Sequence, residues 1–131
     1  MSEYKTNPDW LFPGEAVIKE YEDVMMRVSG YMILFFKFEI AKRVLLTNKR
    51  IYIDYFGPRS SFKSYSLSIF YKEDDYRKAA NNNALLLKEA KIEKGCVSIQ
   101  SSGSFSNNQT IRYRIKNDFE FIQENINKFS E

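Results

Sequence analysis

The stretch Val44-Leu-Leu-Thr-Asn-Lys-Arg-Ile-Tyr-Ile-Asp-Tyr-Phe56 decides the fold. Ile51, Ile53 and Tyr55 alternate with Tyr52, Asp54 and Phe56. Successive side chains of a strand point to opposite faces, so this alternation reads as a strand with one apolar face. Val44-Leu-Leu46 leads into it as a second strand, and Thr47-Asn-Lys-Arg50 is the turn between them. Asn48 tolerates the left-handed conformation that tight hairpin turns often demand. Gly57-Pro58 ends the hairpin.

The same period recurs downstream. Tyr65, Leu67, Ile69 and Tyr71 alternate with Ser64, Ser66, Ser68 and Phe70, as in a half-solvated antiparallel strand. Lys72 to Asn83 is polar and reads as a loop with one helical turn around Asp75 to Ala80. Leu85 to Ile92 and Cys96 to Gln100 form a second hairpin through Glu93-Lys-Gly95. After a polar loop from Ser101 to Gln109, Ile111, Tyr113 and Ile115 face one way and Arg112, Arg114 and Lys116 the other. Upstream the pattern is less regular. Residues 1–13 read as an N-terminal arm anchored by Trp10, Leu11 and Phe12 and turned by Pro13-Gly14. Glu15 to Val28 leans towards strand, but Val24-Met25-Met26 breaks the period, and Ser29-Gly30 reads as a turn. Tyr31 to Ile40 is an apolar run that fits a buried strand or a short buried helix.

The end of the chain changes period. Phe119, Ile122, Ile126 and Phe129 are spaced 3, 4 and 3 apart, the stripe of an amphipathic helix over residues 117–129. Asn117 with Glu120 matches capping-box spacing, and Lys128 suits the negative end of the helix dipole. A one-sided helix needs a sheet to cover. The 131 residues therefore form a single mainly β domain, a strongly bent antiparallel sheet plugged by one C-terminal α-helix.

Composition narrows the chemistry. With 44% hydrophobic residues and 21 aromatics among the 131, the chain can bury a core, which excludes wholesale disorder. It has no His, the commonest general base and metal ligand, and one Cys, so no intrachain disulfide and no cysteine-rich zinc site. Cys96, on a strand, reads as a buried structural thiol. The five glycines form neither a GxGxxG nor a P-loop. Glu73, Asp74 and Asp75 lack the loop spacing of a calcium site and read as solvated. No catalytic residue, metal, cofactor or small-molecule substrate is expected, and the protein is expected not to be an enzyme. The first residues lack the apolar core of a secretory signal and no run approaches a bilayer span, which points to the cytoplasm.

The charge is +3 overall but uneven. From Lys37 to Lys63, Lys37, Lys42, Arg43, Lys49, Arg50, Arg59 and Lys63 stand against Glu39 and Asp54, seven minus two, or +5. One reading is a solvated sheet whose lysines discourage aggregation; the other is a weak anion-binding surface at Lys42, Arg43, Lys49 and Arg50, joined by Arg112 and Arg114. Tyr52, Phe56 and Phe70 lie opposite the assigned core faces. Some are therefore expected to be exposed as a contact patch, unless the arm covers them through Trp10 and Phe12.

Leu11-Phe-Pro-Gly-Glu-Ala-Val17, followed by Val44-Leu-Leu-Thr-Asn-Lys-Arg-Ile-Tyr-Ile53, resembles the GRAM and bacterial pleckstrin-homology-like families. Their members often pair a Pro-Gly-Glu-Lys-Val-like opening with a Leu-Thr-Asn-Lys-Arg-Leu hairpin. The resemblance implies a bent antiparallel barrel or sandwich of seven strands capped by a C-terminal helix. The reading above counts eight strand candidates, so either two early segments are one bent strand or Tyr31–Ile40 is an insertion. Lipid-binding members tend to carry basic residues in the first hairpin loop, and Ser29-Gly30 has none. The expected role is a non-enzymatic interaction module that binds a protein partner or itself. Any contact with a membrane surface is expected to be weak, and nucleic acid is not an expected partner.

Overall fold

The computed structural model describes residues 11–30, 33–56, 64–79, 84–103 and 110–130. Seven strands close into a ring: β1 (Val17–Gly30), β2 (Ile33–Thr47), β3 (Arg50–Phe56), β4 (Ser64–Phe70), β5 (Ala84–Glu93), β6 (Cys96–Ser102) and β7 (Ile111–Ile115). Neighbours in sequence are neighbours in the ring, and β7 closes it against β1. A short helix, α1 (Glu73–Ala79), links β4 to β5, and α2 (Phe119–Phe129) ends the chain. The mainly β barrel with a C-terminal helix agrees with the sequence reading. One pairing departs from the antiparallel expectation: β4 meets β5 in parallel, at Ser68 to Phe70 against Ala84 to Leu86. The intervening α1 supplies the crossover that a parallel pair needs.

The eight strand candidates become seven because residues 33–40 of the apolar run and residues 44–46 belong to one strand. β2 pairs with β1 from Gly30↔Ile33 to Val17↔Thr47, with an irregularity against β3 between Ala41 and Arg43. β1 also runs through Ser29-Gly30, which the sequence reads as a turn. Asp23 explains the broken period of β1. Its φ is 53°, and the phase changes there: Tyr21 packs on the core on one side, Val24, Met26 and Val28 on the other. Met25 is thereby turned outwards and is 55% exposed.

The ring interior holds the residues that alternation marked. Ile51, Ile53, Ile69, Leu85, Val97 and Ile99 are fully buried, joined by Leu67, Ile111, Tyr113 and Ile115. Ile122 and Ile126 of α2 enter the same cluster, with Phe119, Phe121 and Phe129 packed at its margin. Gln123 Nε2 donates to Ala90 O at 3.1 Å, so the helix also satisfies a β5 carbonyl. A second, smaller core lies outside the ring, where Phe70, Ala79 and Ala84 pack with Phe12 and Tyr76. This cluster buries Phe70, while Ser66 on the same face of β4 stays exposed.

Two turns differ in detail from expectation. The β5–β6 turn is the two-residue Lys94-Gly95, with φ of 51° and 76°, the positive pair of a type I′ hairpin. At the β2–β3 turn Asn48 is not in the left-handed region; its side chain instead accepts from Ala16 N–H at 2.9 Å and donates to Gly14 O at 2.9 Å. The cap of α2 is Asp118, not Asn117, with φ 50° and no side-chain bond to the helix backbone. Trp10, Gly57-Pro58, Arg59 and Asn81–Asn83 lie outside the described residues. Replacing Ile122, 1% exposed in the core, by Ala should cost about 2–5 kcal/mol, and Phe119→Ala should fall at the low end of that range because Phe119 packs at the margin. Urea unfolding of both variants checks the ordering.

Candidate functional site

The ionisable groups fall into a buried network, a helix clamp and an open outer face. The buried network joins the two motifs of the β1 entry and the β2–β3 turn. Arg50 meets Glu15 in a two-pronged pair, Nε to Oε2 at 2.9 Å and Nη2 to Oε1 at 3.1 Å, with the Glu15 side chain fully buried. Thr47 Oγ1 donates to Glu15 Oε2 at 2.7 Å, and Phe12 N–H donates to Oε1 at 3.0 Å. Arg50 Nη1 reaches Ser68 Oγ at 3.1 Å. The guanidinium also lies 4.8 Å from the Phe12 ring centre and 5.4 Å from that of Phe70, a cation–π arrangement. Tyr71 donates across the carbonyls of Thr47 and Arg50, at 3.0 and 3.1 Å, and accepts from Asn125 Nδ2 of α2 at 2.9 Å. Burial pushes the Tyr71 hydroxyl well above the usual tyrosine range, with the Asn125 bond opposing and the Glu15 charge adding. It therefore stays a protonated donor.

The clamp fixes the start of α2. Asp118 accepts from the Tyr21 hydroxyl in a short bond and from Lys19 Nζ at 3.1 Å. The Tyr21 bond, helped by Lys19, holds the Asp118 carboxyl below its ordinary range against a smaller opposing effect of burial. Burial, the same bond and the carboxylate charge raise the Tyr21 hydroxyl above its usual range. Both arrangements spend donors and acceptors on each other and tie elements of the fold together.

The outer face of β1 is different. Met25 and Ile40 are directly opposite one another across β1 and β2, and each is 55% exposed. On one side of them a depression of about 360 Å³ is lined by Glu20, Glu22, Asp23, Asp54, Lys42 and Arg43. On the other side a cleft of about 290 Å³ is lined by Arg27, Lys94, Arg114, Lys116, Glu93, Cys96 and the two methionines Met25 and Met26. A third hollow, lined by Asp23, Val24, Met25, Lys116 and Asn117, shares residues with both and joins them. The surface thus runs from acidic through apolar to basic.

The residues expected to bind anions are only partly brought together. Arg50 is committed to Glu15, Arg43 pairs with Asp54 at 3.1 Å, and Lys49 lies 3.8 Å from Asp75. Lys42 is exposed but sits in the acidic depression. Arg112 and Arg114 do share the outward face of β7, where Arg114 pairs with Glu93 at 3.3 Å. Phe70, expected among the exposed aromatics, is fully buried, because Phe12 stacks on it at 5.9 Å and α1 covers it. Tyr52 is half-buried beside Arg50, and the Phe56 side chain lies outside the described residues. Cys96 is half-buried at the cleft rather than a core thiol. Glu73, Asp74 and Asp75 form the first turn of α1, and no cluster able to hold a metal ion occurs among the described residues.

Sequence reasoning missed Met25, Ile40 and Arg27 as surface residues. The broken period at Val24-Met25-Met26 was a usable signal for Met25; Ile40, inside an apolar run, offered none. No family model matches the chain and no curated protein matches it.

Removing one partner of a buried pair strands the other charge. Arg50→Met and Glu15→Leu should each cost about 3–5 kcal/mol, and the double variant should cost clearly less than their sum. Equilibrium unfolding of the four proteins measures the coupling. The Asp118 carboxyl, lowered from an ordinary 3.8, stabilises fully above that value, and the contribution fades as pH falls through the lower folded value. The stability gap between wild type and Asp118→Asn should therefore close on acidification. A gap independent of pH would show that Tyr21 and Lys19 do not act through the carboxylate.

Proposed function

We propose that the chain is a non-enzymatic, pleckstrin-homology-like interaction module of the GRAM type, acting in the cytoplasm, that engages a protein partner or a second copy through the outer face of β1 and β2. The observation that carries this reading is the exposed Met25–Ile40 pair, two large apolar side chains side by side on the outer face of β1 and β2. The family part rests on the opening and hairpin motifs meeting in one hydrogen-bonded network through Gly14, Glu15, Asn48 and Arg50. No helix among the described residues is long and apolar enough to cross a membrane. An anion-binding role is the second reading, favoured by the cations of the basic cleft. It is weakened at Arg43, Lys49 and Arg50 by their carboxylate partners.

The test has two arms. Purified protein should turn over nothing in an esterase, phosphatase and dehydrogenase panel, and activity abolished by one substitution would overturn the reading. Affinity capture with wild type should retain a partner that Ile40→Lys loses and that the remote surface variant Lys78→Glu keeps. Vesicles with acidic lipid and short oligonucleotides should bind weakly and release as salt rises; tight, salt-resistant binding would put the second reading first.

A further inference from the structure

We infer that the outer face of the β6–β7 ladder binds a tetrahedral oxyanion, a phosphate or phosphoryl group, through Arg112, Arg114 and the Ser98 hydroxyl. This goes beyond the interaction reading, which uses the face of β1 and β2, and gives the anion-binding reading one place on the ring. Alternation fixes where these side chains point. Val97 and Ile99, and Ile111, Tyr113 and Ile115, are buried in the core cluster, so Ser98, Arg112 and Arg114 between them face outwards. Ser98 is directly opposite Arg114, and Gln100 is opposite Arg112. Arg112 and Arg114 stand two residues apart, roughly 7 Å along the strand, so two guanidinium groups can share one small ion.

Ser98 faces outwards yet is 1% exposed. Its Oγ is buried and has no hydrogen-bond partner among the described residues, and the same is true of Arg112 Nε and Arg114 Nε. Three such atoms therefore fall at adjacent positions of one ladder. A buried donor left unmet costs free energy. All three groups can donate, and the two Nε groups cannot accept. What they lack in common is an acceptor. The neighbouring carboxylate is already spent: Glu93 takes Arg114 Nη2 at 3.3 Å and Lys91 Nζ at 3.3 Å. Arg112 has no ion-pair partner among the described residues. Residues 103–110, which join the two strands, contain neither Asp nor Glu. Arg27, opposite Arg114 on β1, has a partner of its own and is not part of the site.

The donor set selects the ligand. A neutral acceptor satisfies hydrogen bonds but brings no charge. A tetrahedral oxyanion offers several charged oxygens at one point and accepts from two arginine forks at once. It also offsets the repulsion between neighbouring guanidinium groups on one face. Both arginines are half-buried rather than enclosed, so the ion reaches them from solvent.

Proton–nitrogen correlation NMR of the full chain tests this, because each arginine Nε–H gives its own signal. Inorganic phosphate, titrated at constant ionic strength, should move the Arg112 and Arg114 Nε–H signals to saturation, and chloride should not. Arg112→Gln and Arg114→Gln should each weaken phosphate binding about tenfold, and Ser98→Ala should weaken it by less. Arg112→Lys keeps the charge but removes the Nε–H, and it should weaken binding nearly as much as Gln. The remote variant Lys78→Glu should bind as wild type does. The backbone signals of each variant show whether it is folded, and the wild-type Nε–H signals decide the matter where one is not. Vesicles carrying phosphatidic acid, set beside neutral vesicles, separate the sources. Signals moved by phosphate with vesicles left unbound identify a free ion; vesicles bound only while Arg112 and Arg114 are intact identify a lipid headgroup. Either result supports the site. No saturable movement with phosphate, together with no Arg112-dependent vesicle binding, overturns it. So does an Arg112→Lys variant that binds as wild type does, which would reduce the attraction to net charge, or a Ser98→Ala variant of unaltered affinity. The interaction reading is tested separately, by Ile40→Lys and by turnover, and stands or falls apart from this site.

Discussion

The buried pair of Glu15 and Arg50 is the constraint on which the rest of the structure depends. Taking two charges out of water costs several kcal/mol for each ion, and mutual attraction repays this only with good geometry and further hydrogen bonds. Both conditions are met here. The carboxylate is held by both guanidinium prongs, the Thr47 hydroxyl and the Phe12 amide, and the guanidinium spends its remaining reach on Ser68 and two aromatic faces. The consequence is topological. Residues that enter β1, turn β2 into β3, end β4 and build α2 all bond to this cluster, the last two through Tyr71 and Asn125. Segments more than 70 residues apart in the chain, such as Thr47 and Asn125, are thereby set in one register. An apolar cluster of equal size would pack as well but would define that register less sharply.

The elements legible in the sequence are those whose signal is local. Alternation at Ile51 and Ile53, at Leu67 and Ile69 and at Ile111, Tyr113 and Ile115 marked inward faces correctly, and the Ile122–Ile126 stripe marked the helix face. What escaped depends on partners distant in sequence. Phe70 sits in the outward phase of β4, and the packing of α1 and Phe12 onto that face buries it. The phase change in β1 depends on one backbone angle at Asp23, which no periodicity records. Asn117 had the spacing of a cap, but the Asp118 carboxylate is claimed by Tyr21 and Lys19, and the chain enters the helix one residue later.

The charges follow the same rule. A +5 window in sequence suggested a basic surface, yet a barrel surface is assembled across strands, not along them. Cross-strand register hands Asp54 to Arg43, and the approach of α1 hands Asp75 to Lys49. The cations that do gather, Arg27, Lys94, Arg114 and Lys116, come from three places in the chain, of which the stretch with Arg112, Arg114 and Lys116 stands out as basic in sequence. The charge of a closed sheet's surface is set by which strands pair, not by one window of sequence.

A closed ring also limits how such a protein can recruit anything. Strand addition needs an unpaired edge; β7 pairs with β1, and the ladder between β4 and β5 is short, Ser68 to Phe70 against Ala84 to Leu86. Over the rest of the ring contact comes through faces or hollows. The outer face at β4 and the start of β5 is covered by α1 and Phe12, and α2 packs against β5 and β6. Among the described residues the stretch centred on β1 stays open and carries the exposed Met25 and Ile40 and both charged hollows, and Ile92 of β5 is exposed as well. The bend at Asp23 turns Met25 onto the open stretch of β1.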